Sequence, residues 1–268
     1  MIAPVASLLG LPRQSAYGRK PSLVLVNGLA VQAETWFRNV RAWRRHFDVH
    51  APNIVSYDGG ALHRRIADGL PIDIEYLVEQ LHAYLDSFVQ SPPYYLVANS
   101  MGGKVVVEYA VRYPEGVARL VLLCPSGLGD DEHLPIVEGV RRSDMRAIVD
   151  SVFYNARLVD PNLVRYYQGR FTDRRWRLGL LRTIRGTMDH SVRDLLPRLV
   201  QPTLLVAGED DRIVDPEHAA AIAPLMPCGE FICIPRCGHA PQMEKAKVVN
   251  RLVVEFLTRP IPEPSGAA

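Results

Sequence analysis

Six short apolar runs recur along this chain: SLVLVN (22–27), FDVHAPN (47–53), YYLVAN (94–99), RLVLLCP (119–125), PTLLVAG (202–208) and GEFICIP (229–235). The clearest of them are continuously apolar and rich in β-branched residues, which is what a strand buried on both faces of a parallel sheet requires. Most are separated by helical patterns, and that alternation is the signature of stacked βαβ units. The predicted fold class is therefore α/β, with a mostly parallel central sheet flanked by helices.

Two of the helical patterns are explicit. PIDIEYLVEQLHAYLDSF places Ile74, Leu77, Val78, Leu81, Leu85 and Phe88 three and four residues apart, so one face is apolar and should pack on the sheet. PQMEKAKVVNRLVVEFL does the same through Val249, Leu252, Val253 and Phe256, with Pro241 suited to a first turn. The rhythm breaks over residues 126–198, where amphipathic arginine-rich pieces replace buried strands. The chain thus divides into a first core part (1–125), a helical insertion or cap (126–198) and a second core part (199–268). Residues 141–198 hold 13 Arg and no Lys against 6 Asp and no Glu, an excess of seven positive charges. Solvated helix faces with internal Arg/Asp pairs explain this more simply than an anion-binding cavity does.

Composition narrows the function. A chain of 268 residues with 48% hydrophobic and 22% charged residues can bury a large core. A net charge of +2, with no run of five like charges, points to no nucleic-acid and no membrane partner. The opening IAPVASLLGL has no basic flank and is too short to span a bilayer, so the expected location is cytoplasmic. Cys124, Cys228, Cys233 and Cys237 lack zinc-site spacing and read as reduced, small hydrophobes. Neither a phosphate loop nor an H-E-x-x-H helix is present, and no metal, nucleotide or flavin cofactor is expected.

The chemistry concentrates at LVANSMGGKVV (96–106). A strand ending at Asn99 and a helix starting at Met101 leave Ser100 on the turn, where backbone strain is tolerated only beside small residues. Ala98 and Gly102 supply that room. Such a turn lifts the hydroxyl off the sheet and sets it at a helix N-terminus, which favours developing anions. An N-cap role is the simpler alternative, but a cap needs no small neighbours on both sides. A serine nucleophile also needs an imidazole in reach and a carboxylate to orient that imidazole. Among eight histidines, His239 in RCGHAPQ lies on a loop between the last strand and the last helix, at the sheet edge where Ser100 emerges, and is the expected base. For the acid, Asp215 precedes Pro216 and reads as an N-cap. Asp210 and Asp211 remain undivided by local physics, and Asp130 or Asp131 is a less direct alternative.

The elbow ANSMGG, the turn GEDDRIVDP and the loop GHAPQMEK, in the order Ser, Asp, His, resemble the α/β-hydrolase superfamily from about Lys20 to Leu257. That resemblance implies an acid three residues after the glycine, hence Asp211. It also implies an oxyanion hole built from the backbone N–H groups of Met101 and of Leu29 in VNGLAVQAETW. The family commonly has His-Gly where this chain has Asn27-Gly28, and it usually opens with an antiparallel hairpin. Residues 1–21, with Pro4, Pro12 and Pro21, show no such alternation, so a sheet one or two strands short is expected.

NSMGG, LLCPSGLGDD and VNRLVVEFL are further similar to the meta-cleavage-product hydrolases, which cut carbon–carbon bonds and carry a helical cap with a key arginine. Those enzymes typically have a tryptophan after the histidine, whereas this chain has Ala240. The broader expectation is a carboxylic-ester hydrolase working through an acyl-enzyme on a small-molecule ester or related acyl substrate. Carbon–carbon hydrolysis is the alternative, and a binding protein that kept the fold without turnover is a third. Trp176, Tyr166, Tyr167, Phe153 and Met188 are candidate pocket residues, each more simply read as packing. A homodimer is compatible with the sequence.

Overall fold

A computed structural model describes residues 20–129, 139, 142 and 144–260. Each of the six apolar runs forms a strand: β1 (Ser22–Val26), β2 (Asp48–His50), β3 (Tyr94–Asn99), β4 (Val117–Leu123), β5 (Thr203–Gly208) and β6 (Gly229–Ile234). They pair in the order β2-β1-β3-β4-β5-β6, and every pairing is parallel. The expectation about an opening hairpin falls on residues outside those described.

Successive strand residues point to opposite faces, and the core divides accordingly. Val24, Val26, Leu96, Ala98, Leu120 and Leu122 belong to one layer, while Leu23, Leu25, Val97, Val121 and Leu123 belong to the other. Helices α1 (Phe37–Trp43) and α2 (Gly60–Ala67) precede α3 (Ile74–Tyr84) and α4 (Met101–Arg112), which pack on the first layer. Asp73 begins α3 by accepting from the Tyr76 amide at 2.9 Å, the expected N-cap geometry. The helix then widens into a π-turn over Leu85–Val89, closed by Gln90 N–H to Leu85 O. That turn corrects the face read from sequence: Ile74, Leu77, Val78, Leu81 and Leu85 are buried, but Phe88 is 48% exposed. A spacing of three and four keeps one face only while the period stays at 3.6.

Between β4 and β5 the labelled elements are all helical: α5 (Met145–Val152), α6 (Pro161–Thr172) and α7 (Arg174–Thr187). Asp144, Asp160 and Asp173 cap their N-termini. Three of the six acidic residues are thereby used on backbone amides rather than on the arginines, which differs from the Arg/Asp pairing expected. Arg146 and Asp150 do pair along α5, and Arg170 reaches outside the insertion to Asp58 at 3.1 Å.

After β5, Asp215 caps α8 (Pro216–Ile222) with Pro216 in its first turn, as read from the sequence. The final helical stretch is broken at Lys245 into α9 (Pro241–Glu244) and α10 (Ala246–Thr258), the latter burying Val249, Val253 and Phe256 on the second layer. All four cysteines are free, but only Cys124 and Cys237 are buried. Cys233 is exposed because β6 is a sheet edge. Among the described residues, no helix is long and apolar enough to cross a membrane.

Candidate active site

Ser100 stands between β3 and α4 at φ 54° and ψ −126°, a conformation that costs a non-glycine residue about 1–3 kcal/mol. Its neighbours hold it there. Its N–H donates to Leu123 O at 3.1 Å, and its carbonyl accepts from the amides of Gly103 (2.8 Å) and Ser126 (3.2 Å). On the other side β1 presses against the turn: a Cβ built on Gly102 would lie 2.6 Å from Val26 O and 2.7 Å from Asn27 O. The hydroxyl makes no capping bond to α4, so the N-cap alternative does not account for this serine.

The loop after β1 lies directly against the elbow. A Cβ on Gly28 would fall 2.9 Å from Ser100 Cβ. Asn27 holds the loop through its side chain, accepting from Trp36 Nε1 and donating to Asn53 Oδ1 at 3.4 Å. Asn53 Oδ1 also accepts from the Ala33 amide at 2.9 Å. Ala30, at φ 61°, donates its N–H to the buried Tyr57 hydroxyl at 3.1 Å. The Asn27-Gly28 sequence thus makes a braced loop of its own kind.

His239 Nδ1 lies 2.9 Å from Asp211 Oδ2, with both side chains almost wholly buried. Asp211 Oδ1 accepts the amides of Ile213 (2.9 Å) and Val214 (3.1 Å). Burial by itself would raise the Asp211 pKa, but His239 and those two amides outweigh it and hold the carboxyl below its ordinary value. Asp210, by contrast, is tied by its backbone N–H to Cys237 O. Asp130 and Asp131 lie outside the described residues, as does His133. Several other histidines have partners elsewhere: His190 on Glu108, His63 on Tyr57 O and His218 on Leu128 O.

Cys124, buried at φ 44° just beyond β4, completes a group with Asp211 and His239 whose ligand atoms lie within 4.8 Å of one another. Burial, with Asp211 nearby, pushes its thiol pKa well above the ordinary value. The 2.9 Å contact between His239 and Asp211 is a hydrogen-bond distance. It is shorter than the roughly 3.3 Å that separates two ligands around one tetrahedral zinc, so the spacing is that of a hydrogen-bonded pair rather than of two ligands to one ion.

Ser100 and His239 line one cavity of about 900 Å³, measured out to its open mouth. Its walls come from the loop after β1 (Leu29, Ala30, Val31), from α5 (Met145, Ile148, Val149) and from α6 (Leu163, Val164, Tyr167, Phe171). Among the described residues the lining holds no Lys, Arg, Asp or Glu. The described arginines of the insertion therefore do not line the cavity. Of the candidate pocket residues, Phe153 and Tyr167 line it. Trp176 instead packs fully buried between Tyr57 and Phe171, with ring centroids 5.2 and 4.9 Å away, and Tyr166 and Met188 are exposed.

Sequence reasoning missed Asn99 and Gln242. Asn99 Nδ2 donates to Leu123 O (2.9 Å) and His239 O (3.2 Å), tying the elbow to the histidine loop, and Gln242 Nε2 donates to Asn99 Oδ1 at 3.0 Å. The available signal was their polarity at positions otherwise bound for the core.

The chain is 24% identical to the human monoacylglycerol lipase ABHD6 over 267 residues, covering 90% of this chain and 76% of that one. It is 29% identical over 180 residues to the 2-hydroxy-6-oxo-6-phenylhexa-2,4-dienoate hydrolase of Burkholderia cepacia, covering 61% and 62%. A meta-cleavage product hydrolase of Pseudomonas fluorescens superposes with TM-score 0.75 at 22% identity, covering 90% of this chain and 91% of that one. An esterase of Thermogutta terrifontis does so with 0.73 at 21%, covering 90% of each chain. The model of the Alpha/beta hydrolase family matches residues 23–252. Because that match runs from β1 into α10 and takes in the sheet, the elbow and the histidine loop alike, the chain belongs to the alpha/beta hydrolase family and is one of its serine hydrolases.

Proposed function

We propose that this protein hydrolyses carboxylic esters with an uncharged, apolar acyl group. The observation that carries the reading is the cavity at Ser100: its described walls are mostly aliphatic and aromatic, and they offer no Lys or Arg to a charged substrate. In the reaction Ser100 Oγ attacks the ester carbonyl as His239 Nε2 takes its proton. The ester C–O bond breaks, and the alcohol leaves with that proton. Water then attacks the acyl-enzyme, again through His239, and frees the acid. Asp211 keeps the imidazole proton on Nδ1, and the amides of Leu29 and Met101 receive the oxyanion. Ala30 is excluded from that second role because Tyr57 already takes its N–H. Met101, as the first residue of α4, precedes any intrahelical partner for its amide.

Carbon–carbon hydrolysis is the second reading, favoured by the likeness to the dienoate hydrolase. The substrate named there is a carboxylate, and the described cavity offers it no Lys or Arg. The test is p-nitrophenyl esters from acetate to decanoate, with wild type and Ser100→Ala side by side. Turnover confined to the wild type, rising with chain length, supports ester hydrolysis. An inactive wild type that bleaches a dienone chromophore supports the second reading. A wild type that does neither, and that a covalent serine probe fails to label, is a binding protein.

A further inference from the structure

The carboxylate of Glu244 ties the loop that carries His239 to the segment that follows α5. Glu244 ends the short α9, is half-buried, and lines an outer groove beside the Ser100 cavity rather than the cavity itself. Its Oε2 accepts the N–H groups of Gly238 at 2.8 Å and of Tyr154 at 3.2 Å, and its Oε1 accepts that of Asn155 at 2.9 Å. Among the described residues no ion pair claims it. Both oxygens therefore serve backbone donors. Only an ionised carboxylate satisfies all three, because an amide or a protonated acid of the same shape brings a hydrogen of its own.

Gly238 immediately precedes His239. The loop and the insertion touch here without room to spare: a Cβ on Gly238 would lie 2.5 Å from Val152 O and 2.7 Å from Tyr154 N. His239 donates its own N–H to Val152 O at 2.8 Å, and Asn99 Nδ2 holds the His239 carbonyl at 3.2 Å. Those two bonds fix His239 at its own backbone atoms. The direction of the peptide leading into it depends on where the Gly238 N–H is held, and Glu244 holds it. His239 Nε2 must stand within hydrogen-bond reach of Ser100 Oγ, and a displacement of about 1 Å costs on the order of 100-fold in rate. We infer that Glu244 is a positioning residue for His239: its carboxylate clamps the Gly238 amide to the Tyr154 and Asn155 amides and so keeps Nε2 in reach of Ser100. The inference rests on His239 acting as the base, as in the reading given above.

The test compares wild type, Glu244→Gln and Glu244→Ala on p-nitrophenyl butyrate, each well below its own unfolding transition. Glu209→Ala is the control, because Glu209 Oε2 accepts another amide of the same loop, that of Arg236 at 3.2 Å, without touching Gly238. Glu244→Ala should lower kcat about 100-fold and leave KM within about twofold, since substrate binding does not use the clamp. Glu244→Gln must turn its NH2 toward a backbone N–H at one end and should lose about tenfold. Glu209→Ala should stay within about threefold. The rate of labelling by a fluorophosphonate should fall in the same order, because it needs Ser100 and His239 but no turnover. A Glu244→Ala protein within about threefold of wild type in kcat overturns the inference, as does a loss no larger than that of Glu209→Ala. So does a raised KM at unchanged kcat, which would make Glu244 a groove residue that meets substrate. Where Glu244→Ala does not fold, the isosteric Glu244→Gln decides, and a kcat within about twofold of wild type overturns the inference. A wild type that labels with the fluorophosphonate but turns over no ester overturns the ester reading instead, and the labelling rates of the variants still decide the role of Glu244.

Discussion

Replacing Asp211 by asparagine tests its proposed hold on the His239 tautomer in a well-defined geometry. Oδ1 of Asp211 accepts two backbone amides, from Ile213 at 2.9 Å and Val214 at 3.1 Å. An asparagine NH2 on that side would face two N–H donors, so its carbonyl must take the place and its NH2 must face His239. The gap to be spanned there is the 2.9 Å now between Oδ2 and Nδ1. His239 Nδ1 then accepts, and its proton moves to Nε2, which can no longer take a proton from Ser100. By the precedent of a tautomer-inverting substitution in a serine protease, the loss in kcat/KM is on the order of 10⁴, about 5 kcal/mol of transition-state stabilisation. Asp210→Asn keeps the backbone bond to Cys237 O and should remain within about threefold of wild type. The assay is steady-state ester hydrolysis, with thermal unfolding as the check on folding. The Asp211 carboxyl is held below its ordinary pKa of 3.8, so its ionised form stabilises the fold above that pH and the contribution is lost as pH falls through the lowered value. The stability gap between wild type and Asp211→Asn should accordingly narrow below about pH 4. An Asp211→Asn protein within tenfold of wild type, or equal losses at 210 and 211, would refute the assignment.

Three other substitutions separate supporting from lining roles. Tyr167→Phe removes a hydroxyl that donates to Glu34 Oε1 (2.8 Å) and accepts from the Gln32 amide (3.2 Å). It should cost about 2 kcal/mol, seen as a fall in Tm of roughly 4–8 °C. Gly102→Ala drives a methyl group onto the Val26 and Asn27 carbonyls and must displace the elbow. An overpacking cost of about 1–3 kcal/mol and a loss of roughly 100-fold in kcat/KM should appear together in unfolding and kinetic measurements. Trp176→Ala, in the packed site between Tyr57 and Phe171, should lower stability by about 3–5 kcal/mol in denaturant titrations while leaving the order of preference among acyl chain lengths unchanged.

The strands were legible because a parallel strand covered on both faces is written as an unbroken apolar run, and the elbow because a serine on a strained turn demands small neighbours. Asp211 was legible only as one of two adjacent aspartates. What separates it from Asp210 is which carboxylate meets the Ile213 and Val214 amides, a property of the turn's path that residue type does not encode. The exposure of Phe88 depended on one π-turn, where an extra residue per turn rotates the apolar stripe away from the sheet. Asn99 was hidden by its own position, since a polar residue at a strand end reads as the start of a loop. Its buried contacts run to Leu123, His239 and Gln242, the last two more than 100 residues away in the chain.

The insertion is less independent of the histidine than a lid swinging over a finished site would be. His239 donates its own backbone N–H to Val152 O at 2.8 Å, at the last residue of α5. Glu244, two residues beyond Gln242, accepts the Gly238 amide at 2.8 Å and also the amides of Tyr154 (3.2 Å) and Asn155 (2.9 Å). Arg212, next to Asp211, donates to Asp150 O at 2.7 Å. Residues 150–155 are thus bonded both to the loop that carries His239 and to the turn that carries Asp211. Moving the insertion as one body would break these bonds, at a cost of about 0.5–1.5 kcal/mol for each neutral one and more for those to charged groups. The same segment continues into Phe153 and α5, which wall the cavity. Filling the cavity therefore loads the histidine loop directly, so the fit of the acyl chain and the placement of His239 are one mechanical property of this fold.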